Sequence, residues 1–190
     1  MPAYTDYWSR NLRYDKIANI MQLKLYQQLR RNLHFTNNEE KNNDRYFKIR
    51  PVMEMIRKNC LKIEEEKKMS VDEMMVAYKG KKAGCRRQYM PKKPKKWGFE
   101  LFVRCGVSGI VYDFLPYEGD DTFRDGYFTD DKESFGFCAK TVLALCQTIK
   151  SPKCCMVYFD NFFCSPSLVH YLRHTKKESW NIESRSSTRL

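Results

Sequence analysis

The chain changes its hydrophobic period partway along, and this change limits the folds open to it. Residues 69–78, 98–107 and 109–117 are β-prone runs, and the first of them, MSVDEMMVAY, has no turn residue. Residues 135–149, FGFCAKTVLALCQTI, instead predict a helix buried on most faces, and residues 154–163, CCMVYFDNFF, predict a further strand. Consecutive strands followed by a crossover helix and another strand predict a mixed α/β sheet.

Amphipathic helices are predicted before and after this sheet. Residues 15–35 predict one helix and residues 51–64 a second, with proline favoured in the first turn. Residues 165–177 predict a basic helix with Ser165 as its N-cap. Residues 1–68 are therefore expected to form an α-helical region. The apolar stripe of the first helix comprises Ile17, Met21, Leu25, Leu29 and Leu33, and the expected buried stripe of the second comprises Val52, Met53, Ile56 and Cys60.

The charge of the chain indicates what kind of partner it has. Its 190 residues carry 35 Lys and Arg against 23 Asp and Glu, a net charge of +12. Nucleic acid is the first candidate partner for such a protein, although basic ribosomal and membrane-surface proteins share this composition. The chain has neither the ~18 uncharged apolar residues that a membrane span needs nor a signal peptide, so we expect no membrane contact and no secretion. Its eight cysteines form no CxxC pair and are expected to be reduced and mostly buried.

The positive charge is concentrated in residues 74–99, which contain no Asp or Glu. Glycines and prolines make this segment a loop or ribbon rather than a helix. Lysine and arginine neutralise phosphates, and aromatic rings can stack on bases, so the segment predicts nucleic-acid contact. A solvated loop kept basic for solubility is the alternative. The candidate contact residues are Lys79, Lys81, Lys82, Arg86, Arg87, Tyr89, Lys92, Lys93, Lys95, Lys96 and Trp97.

Two of the predicted strands carry carboxylates that could share a site. Asp160 ends the apolar run MVYF, where a charge is costly unless it is paired or binds a metal. Asp72 and Glu73 lie on the first strand, and because adjacent strand residues point to opposite faces, only one of them is expected to face a site shared with Asp160. Two strand-borne carboxylates in a basic protein fit a two-metal phosphodiester site. Aspartates that begin a turn or cap a helix are the alternative.

Long motifs give the chain a specific family resemblance. They occur in the family's order and cover most of residues 1–175, which resemble the piggyBac transposase family. This resemblance implies an RNase H-like catalytic domain preceded by a helical dimerisation and DNA-binding region. The motifs are NLHFTNNEEKNNDRYFKIRPV (32–52), SVDEMMVAYKGK (70–81), QYMPKKPKKWGFELF (88–102) and YFDNFFCSPSLVHYL (158–172).

The resemblance also implies roles for individual residues. Asp72 matches the first catalytic aspartate and Asp160 the second. In that family these carboxylates hold two Mg²⁺ ions, with which DNA strands are cut and joined. Glu73 would then face the other side of its strand. The domains implied are a helical region at 1–68, a partial RNase H-like domain at 69–177 that contains the basic segment 79–97, and an unrelated polar tail at 178–190.

The chain departs from the family pattern after Asp160. The third catalytic aspartate is absent, and Glu178 and Glu183 lie in a polar tail where we expect nothing to fix them. The sheet is therefore expected to be an incomplete RNase H-like one, in which the strand of Asp160 lies at an edge unless a partner or the tail covers it. Weak Mg²⁺ binding and a catalytically inactive DNA-binding protein are the expected result.

Two other functions remain open from the sequence. One is an active Mg²⁺-dependent transposase or nuclease whose missing ligand comes from another chain. The second is a zinc-dependent interaction module. We also expect double-stranded DNA and a second copy of the chain as partners, and a nuclear location, for which KKPKK (92–96) is a candidate signal. The candidate zinc ligands are Cys154, Cys155, Cys164, His170 and His174.

Overall fold

The chain divides into two units, Met1–Val52 and Met53–Leu190. No helix among the residues that the structure describes has the length and apolar character needed to cross a membrane. The computed structural model describes residues 3–40, 43–78, 80, 83, 87–123, 128, 134–174 and 181–185.

The first unit contains short helices with little core between them. After a 3₁₀ turn at Tyr4–Trp8, α1 spans Asp15–Ala18 and α2 spans Leu23–Arg31. The predicted single helix over 15–35 is wrong because the chain breaks before α2, where the indole N–H of Trp8 donates to the main-chain oxygen of Met21 at 2.7 Å. The predicted apolar stripe is largely exposed, and among the residues described in this unit only Tyr46 is a buried hydrophobic residue.

The second predicted helix is present as α3, Arg50–Cys60, and ends earlier than predicted. Its predicted buried stripe is wrong: Ile56 is exposed and the other three members are only half-buried. The reason is that α3 reaches the sheet through Arg57, whose guanidinium contacts the buried carboxylate of Asp113 at 2.6 Å. A charged side chain at this contact requires a carboxylate partner rather than an apolar pocket.

The second unit is built on a six-stranded mixed sheet, which confirms the predicted fold class. The strands are β1 (Lys68–Ala77), β2 (Gln88–Tyr89), β3 (Trp97–Gly106), β4 (Val111–Pro116), β5 (Met156–Asp160) and β6 (Asn181–Arg185). Their order in the sheet is β2-β3-β1-β5-β6, and β4 also pairs with β3. β1 is antiparallel to β3 and parallel to β5. The tight turn between β3 and β4 needs Gly109, whose φ of 82° disfavours other residues.

The tail differs most from the sequence-based expectation. Its strand β6 pairs with β5 in parallel, with Tyr158 opposite Glu183 and Asp160 opposite Arg185. The tail therefore supplies the cover that the edge of β5 needs. The prediction that nothing fixes Glu183 is wrong for its backbone, because strand pairing holds it; Glu178 lies outside the described residues.

Two helices pack with the sheet to form the core. They are α4 (Phe137–Cys146), which is buried on most faces as predicted, and α5 (Pro166–His174). The Ser165 hydroxyl accepts the amide proton of Leu168 at 3.2 Å, which confirms the predicted N-cap. One cluster joins residues of both helices to apolar residues of the central strands, so the opposite, polar positions of those strands stay open. The strand residues in this cluster include Met69, Val71, Val157 and Phe159.

Candidate nucleic-acid interface and carboxylate site

The register of the two central parallel strands brings the predicted aspartates together. β1 and β5 pair from Lys68 opposite Met156 to Val71 opposite Phe159. The same register continued by one residue places Asp72 beside Asp160. Since neighbouring strands lie about 4.8 Å apart, the two residues lie side by side on adjacent strands.

Alternation along both strands decides which face they occupy. The core positions, such as Val71 and Phe159, are almost completely buried, whereas Ser70, Asp72 and Asp160 are exposed. An open cavity of about 730 Å³ lies over this face. Its lining includes Ser70, Asp72, Glu73, Lys93, Tyr158 and Asp160. The predicted juxtaposition of Asp72 and Asp160 is thus present, while their role as metal ligands stays a prediction.

Glu73 differs from its predicted position. Its carboxyl group interacts with that of Asp72 through a hydrogen bond, so the prediction that Glu73 is turned away from the site does not hold for this carboxyl group. The last β1–β5 pair involves Val71, so Glu73 lies where β1 continues beyond that pairing. Its long side chain reaches the Lys93 ammonium there, with 2.9 Å between Oε1 and Nζ.

Partial burial and neighbouring carboxylates change the acidity of these groups. Partial burial of its carboxyl group, followed by interaction with Glu73, raises the pKa of Asp72 to about 6. Burial by itself raises the pKa of Glu73, but hydrogen bonds with Asp72 and Lys93 outweigh it and the pKa of Glu73 is lowered. Near neutral pH the pair therefore concentrates negative charge at the end of the cavity, partly balanced by the lysine.

A divalent cation suits this donor set. Carboxylate oxygens are the ligands that Mg²⁺ prefers, and a cation would offset the repulsion from Glu73, which after burial contributes to the raised pKa of Asp72. Asp72 and Asp160 are the residues that would hold it. In the part of the chain that the structure describes, no group of three or more His, Cys, Asp or Glu residues is placed to hold a metal.

The zinc alternative gains no support from the geometry. Cys164 and His170 line a separate cavity with Arg173, a cation that a metal would repel. Cys155 is buried, with its sulfur 4.0 Å from the main-chain oxygen of Glu66, whereas Cys154 is exposed. The candidate ligands are therefore not gathered around one point within the described residues.

The described part of the basic segment forms a short ribbon at one end of the sheet. β2 pairs with the start of β3, Tyr89 opposite Trp97, and their rings pack together with centroids 4.7 Å apart and planes tilted by 44°. The Arg87 guanidinium lies 4.0 Å from the centre of the Trp97 ring. Close approach of β1 requires glycine at position 98, because a side chain there would meet the main-chain oxygen of Val76. Both residues remain nearly half exposed, Tyr89 at 49% and Trp97 at 46%.

The lysines of this segment fall into two classes. Lys92, Lys95 and Lys96 are exposed, and none has an ion pair among the described residues. Lys93 instead turns inward to Glu73. Sequence reasoning missed this pairing because no local pattern links residues twenty positions apart. The remaining candidates, Lys79, Lys81, Lys82 and Arg86, lie outside the described residues.

Comparison with known proteins connects this site to a family. The Transposase IS4 family model matches residues 1–178. Human PiggyBac transposable element-derived protein 3 is 29% identical over 145 residues, which cover 74% of this chain and 23% of that protein. The human Chimeric ERCC6-PGBD3 protein is also 29% identical over 145 residues, and the match covers 13% of its length. The chain thus spans less than a quarter of either curated relative.

A solved structure shows the same fold. It is a cryo-EM structure of the piggyBac transposase synaptic complex with hairpin DNA, matched with a TM-score of 0.77 and 21% sequence identity. The match covers 99% of this chain and 38% of that one. The mixed sheet with its helices is accordingly RNase H-like. Because the family model spans almost the whole chain, the protein belongs to the Transposase IS4 family, and its similarity to the piggyBac-derived proteins and to the piggyBac transposase fold supports a piggyBac member of that family.

Proposed function

We propose that this transposase-derived chain binds double-stranded DNA through the ribbon and turn at residues 87–97. The observation that carries the proposal is a set of exposed lysines without ion pairs among the described residues, next to a packed pair of exposed aromatic residues. These lysines can release counterions from phosphates without first breaking a protein ion pair. They are Lys92, Lys95 and Lys96.

The aromatic pair complements the lysines. Tyr89 and Trp97 present partly exposed rings beside the Arg87 guanidinium. Such a surface combines a flat apolar contact with positive charge, and both suit a nucleic acid more than an acidic protein patch. The net charge of +12 extends this attraction beyond the contact itself.

The carboxylate site lies on the same sheet. Asp72 and Asp160 would hold a divalent cation, which when bound supplies Lewis-acid chemistry and an activated water. For the chain by itself we propose DNA binding without strand cleavage. Two carboxylates offer fewer oxygen ligands than two Mg²⁺ ions require.

The test is binding of a fluorescent duplex across a salt series, with and without Mg²⁺, followed by a search for cut products. We expect salt-sensitive binding and an intact duplex. Changing Lys92, Lys95 and Lys96 together to Ala should lower the slope of log K against log salt by about 2.7. The matched control changes Lys58, Lys62 and Lys153, exposed lysines outside the segment, to Ala.

Two results would contradict the proposal. Equal losses in the two triple variants would show that only overall charge matters. Mg²⁺-dependent cleavage that disappears in Asp72→Asn and Asp160→Asn would establish strand cleavage instead of binding alone, with the missing ligands supplied by another chain.

Two further expectations accompany this function. We propose a nuclear location, based on the lysine cluster at 92–96, which imaging of a fluorescent fusion would test against a variant with these lysines changed to Ala. We also propose that the chain forms a homodimer. Sedimentation of the purified protein would show a single-chain mass if this is wrong.

A further inference from the structure

Lys93 makes contacts unlike those of its neighbours in the basic segment. Its ammonium lies 2.9 Å from a carboxylate oxygen of Glu73 and donates to the main-chain oxygen of the same residue at 3.1 Å. Only about a quarter of the Lys93 side chain and a fifth of the Glu73 side chain are exposed, 28% and 21%. Lys92 and Lys95, on either side, are exposed to solvent.

The backbone around Lys93 presents this side chain from a closed turn. The amide of Met90 donates to the main-chain oxygen of Lys96 at 2.8 Å, and the amide of Lys93 donates to Met90 at 3.2 Å. Pro94 restricts the residue before it to extended conformations, so it limits the directions that Lys93 can take. The turn and the side chain are therefore fixed together.

Charge holds the ammonium in this position. Burial by itself lowers the pKa of Lys93, but the hydrogen bond with Glu73 and the charges of Asp72, Glu73 and Glu100 outweigh it, so the pKa is raised. The lysine stays protonated and is surrounded by carboxylates. To reach a phosphate it would have to leave them, at the cost of uncovering negative charge next to DNA.

We propose that Lys93 is a positioning residue that ties the DNA-binding turn to the carboxylate strand. By binding Glu73 it would fix residues 90–96 against β1 and so set where the exposed lysines and Trp97 lie relative to Asp72. This inference rests on the proposed DNA binding. It predicts that Lys93 affects DNA affinity without itself contacting a phosphate.

The salt dependence of DNA binding distinguishes positioning from phosphate contact. A lysine that binds phosphate contributes about 0.9 to the slope of log K against log salt. Lys92→Met is therefore expected to lower the slope by about 0.9. Lys93→Met should leave the slope unchanged and weaken binding roughly fivefold at all salt concentrations, because a loosened turn must be ordered when DNA binds.

Glu73→Gln is expected to change DNA affinity in opposite directions, depending on whether Glu73 acts only through its charge or also holds the turn. Glu73→Gln removes a negative charge, which by electrostatics alone would tighten DNA binding. If Glu73 holds the turn, Glu73→Gln weakens binding, and the double variant with Lys93→Met is no weaker than either single variant. A lower slope in Lys93→Met, or tighter binding by Glu73→Gln, would overturn the proposal.

Hydrogen exchange separates this proposal from the DNA-binding function. The amides of Met90 and Lys93 should exchange faster in Lys93→Met and in Glu73→Gln, but not in Lys92→Met. Circular dichroism confirms that each variant is folded. If the wild type does not bind DNA but these amides respond as expected, the DNA-binding function fails and the tie between Lys93 and Glu73 stands. Unchanged exchange in both variants would refute the tie itself.

Discussion

Replacing the buried carboxylate of Asp113 is expected to cost the second unit a large part of its stability. Asp113 is completely buried on β4. Its two oxygens contact the Nε and Nη2 of Arg57 at 2.6 and 3.2 Å, and the Thr148 hydroxyl donates to it at 2.7 Å. The same hydroxyl accepts from Arg104, another completely buried residue. One carboxylate thus joins α3, β3, β4 and the turn after α4.

The size of the effect follows from what the substitution leaves behind. Asp113→Asn keeps the size of the side chain but removes the negative charge that Arg57 contacts at 2.6 Å and weakens the network of Arg104. Removing one partner of a buried ion pair costs about 3–5 kcal/mol. We expect the free energy of unfolding to fall by about 3 kcal/mol, at the lower end of this range, because 19% of the Arg57 side chain is exposed and can bind water. For a chain of this size that corresponds to a fall in Tm of roughly 6–12 °C.

Urea denaturation at neutral pH measures this quantity. Asp120→Asn is the control, since Asp120 is an exposed residue after the same strand and should change the free energy of unfolding by less than about 0.5 kcal/mol. A second variant replaces the pair, Arg57→Met with Asp113→Leu, and should recover most of the loss because no unpaired charge remains. The reasoning is refuted if Asp113→Asn unfolds at the same urea concentration as the control.

Other substitutions test separate parts of the structure. Because Asp72 binds its proton more tightly in the native state than in the unfolded chain, the free energy of unfolding falls as pH rises from about 4 to 6. Asp72→Asn should therefore stabilise the protein by about 1 kcal/mol above pH 6, after discounting for solvent screening, and should not stabilise it below pH 4. Thermal melts at several pH values measure this difference. Gly98→Ala should push Val76 away and weaken duplex binding, measured by anisotropy, while a preserved affinity would mean that the ribbon is not the contact. Ser165→Ala should lower the free energy of unfolding by about 1 kcal/mol through loss of the Leu168 cap, and Ser165→Thr should restore most of it.

Elements with local signals could be predicted from the amino-acid sequence. Runs of β-prone residues identified β1 and β5, and the carboxylates of Asp72 and Asp160 were noticed because each interrupts or ends such a run. The cap at Ser165 could be predicted for the same reason, because a serine followed by proline at a helix start depends only on residues that are adjacent in the sequence. The family resemblance added what periodicity could not, namely that Asp72 and Asp160 match two catalytic aspartates.

Contacts between residues that are distant in the chain became visible only in the folded molecule. The helix predicted over 15–35 is interrupted before α2, where the indole N–H of Trp8 donates a hydrogen bond to a main-chain oxygen. The polar tail forms β6 because the edge of β5 offers it main-chain hydrogen bonds. The inward turn of Lys93 depends on a carboxylate twenty residues away, and Arg57 finds Asp113 across 56 residues. Periodicity reports the environment that each residue prefers. Which partner provides that environment depends on how the whole chain brings its strands together.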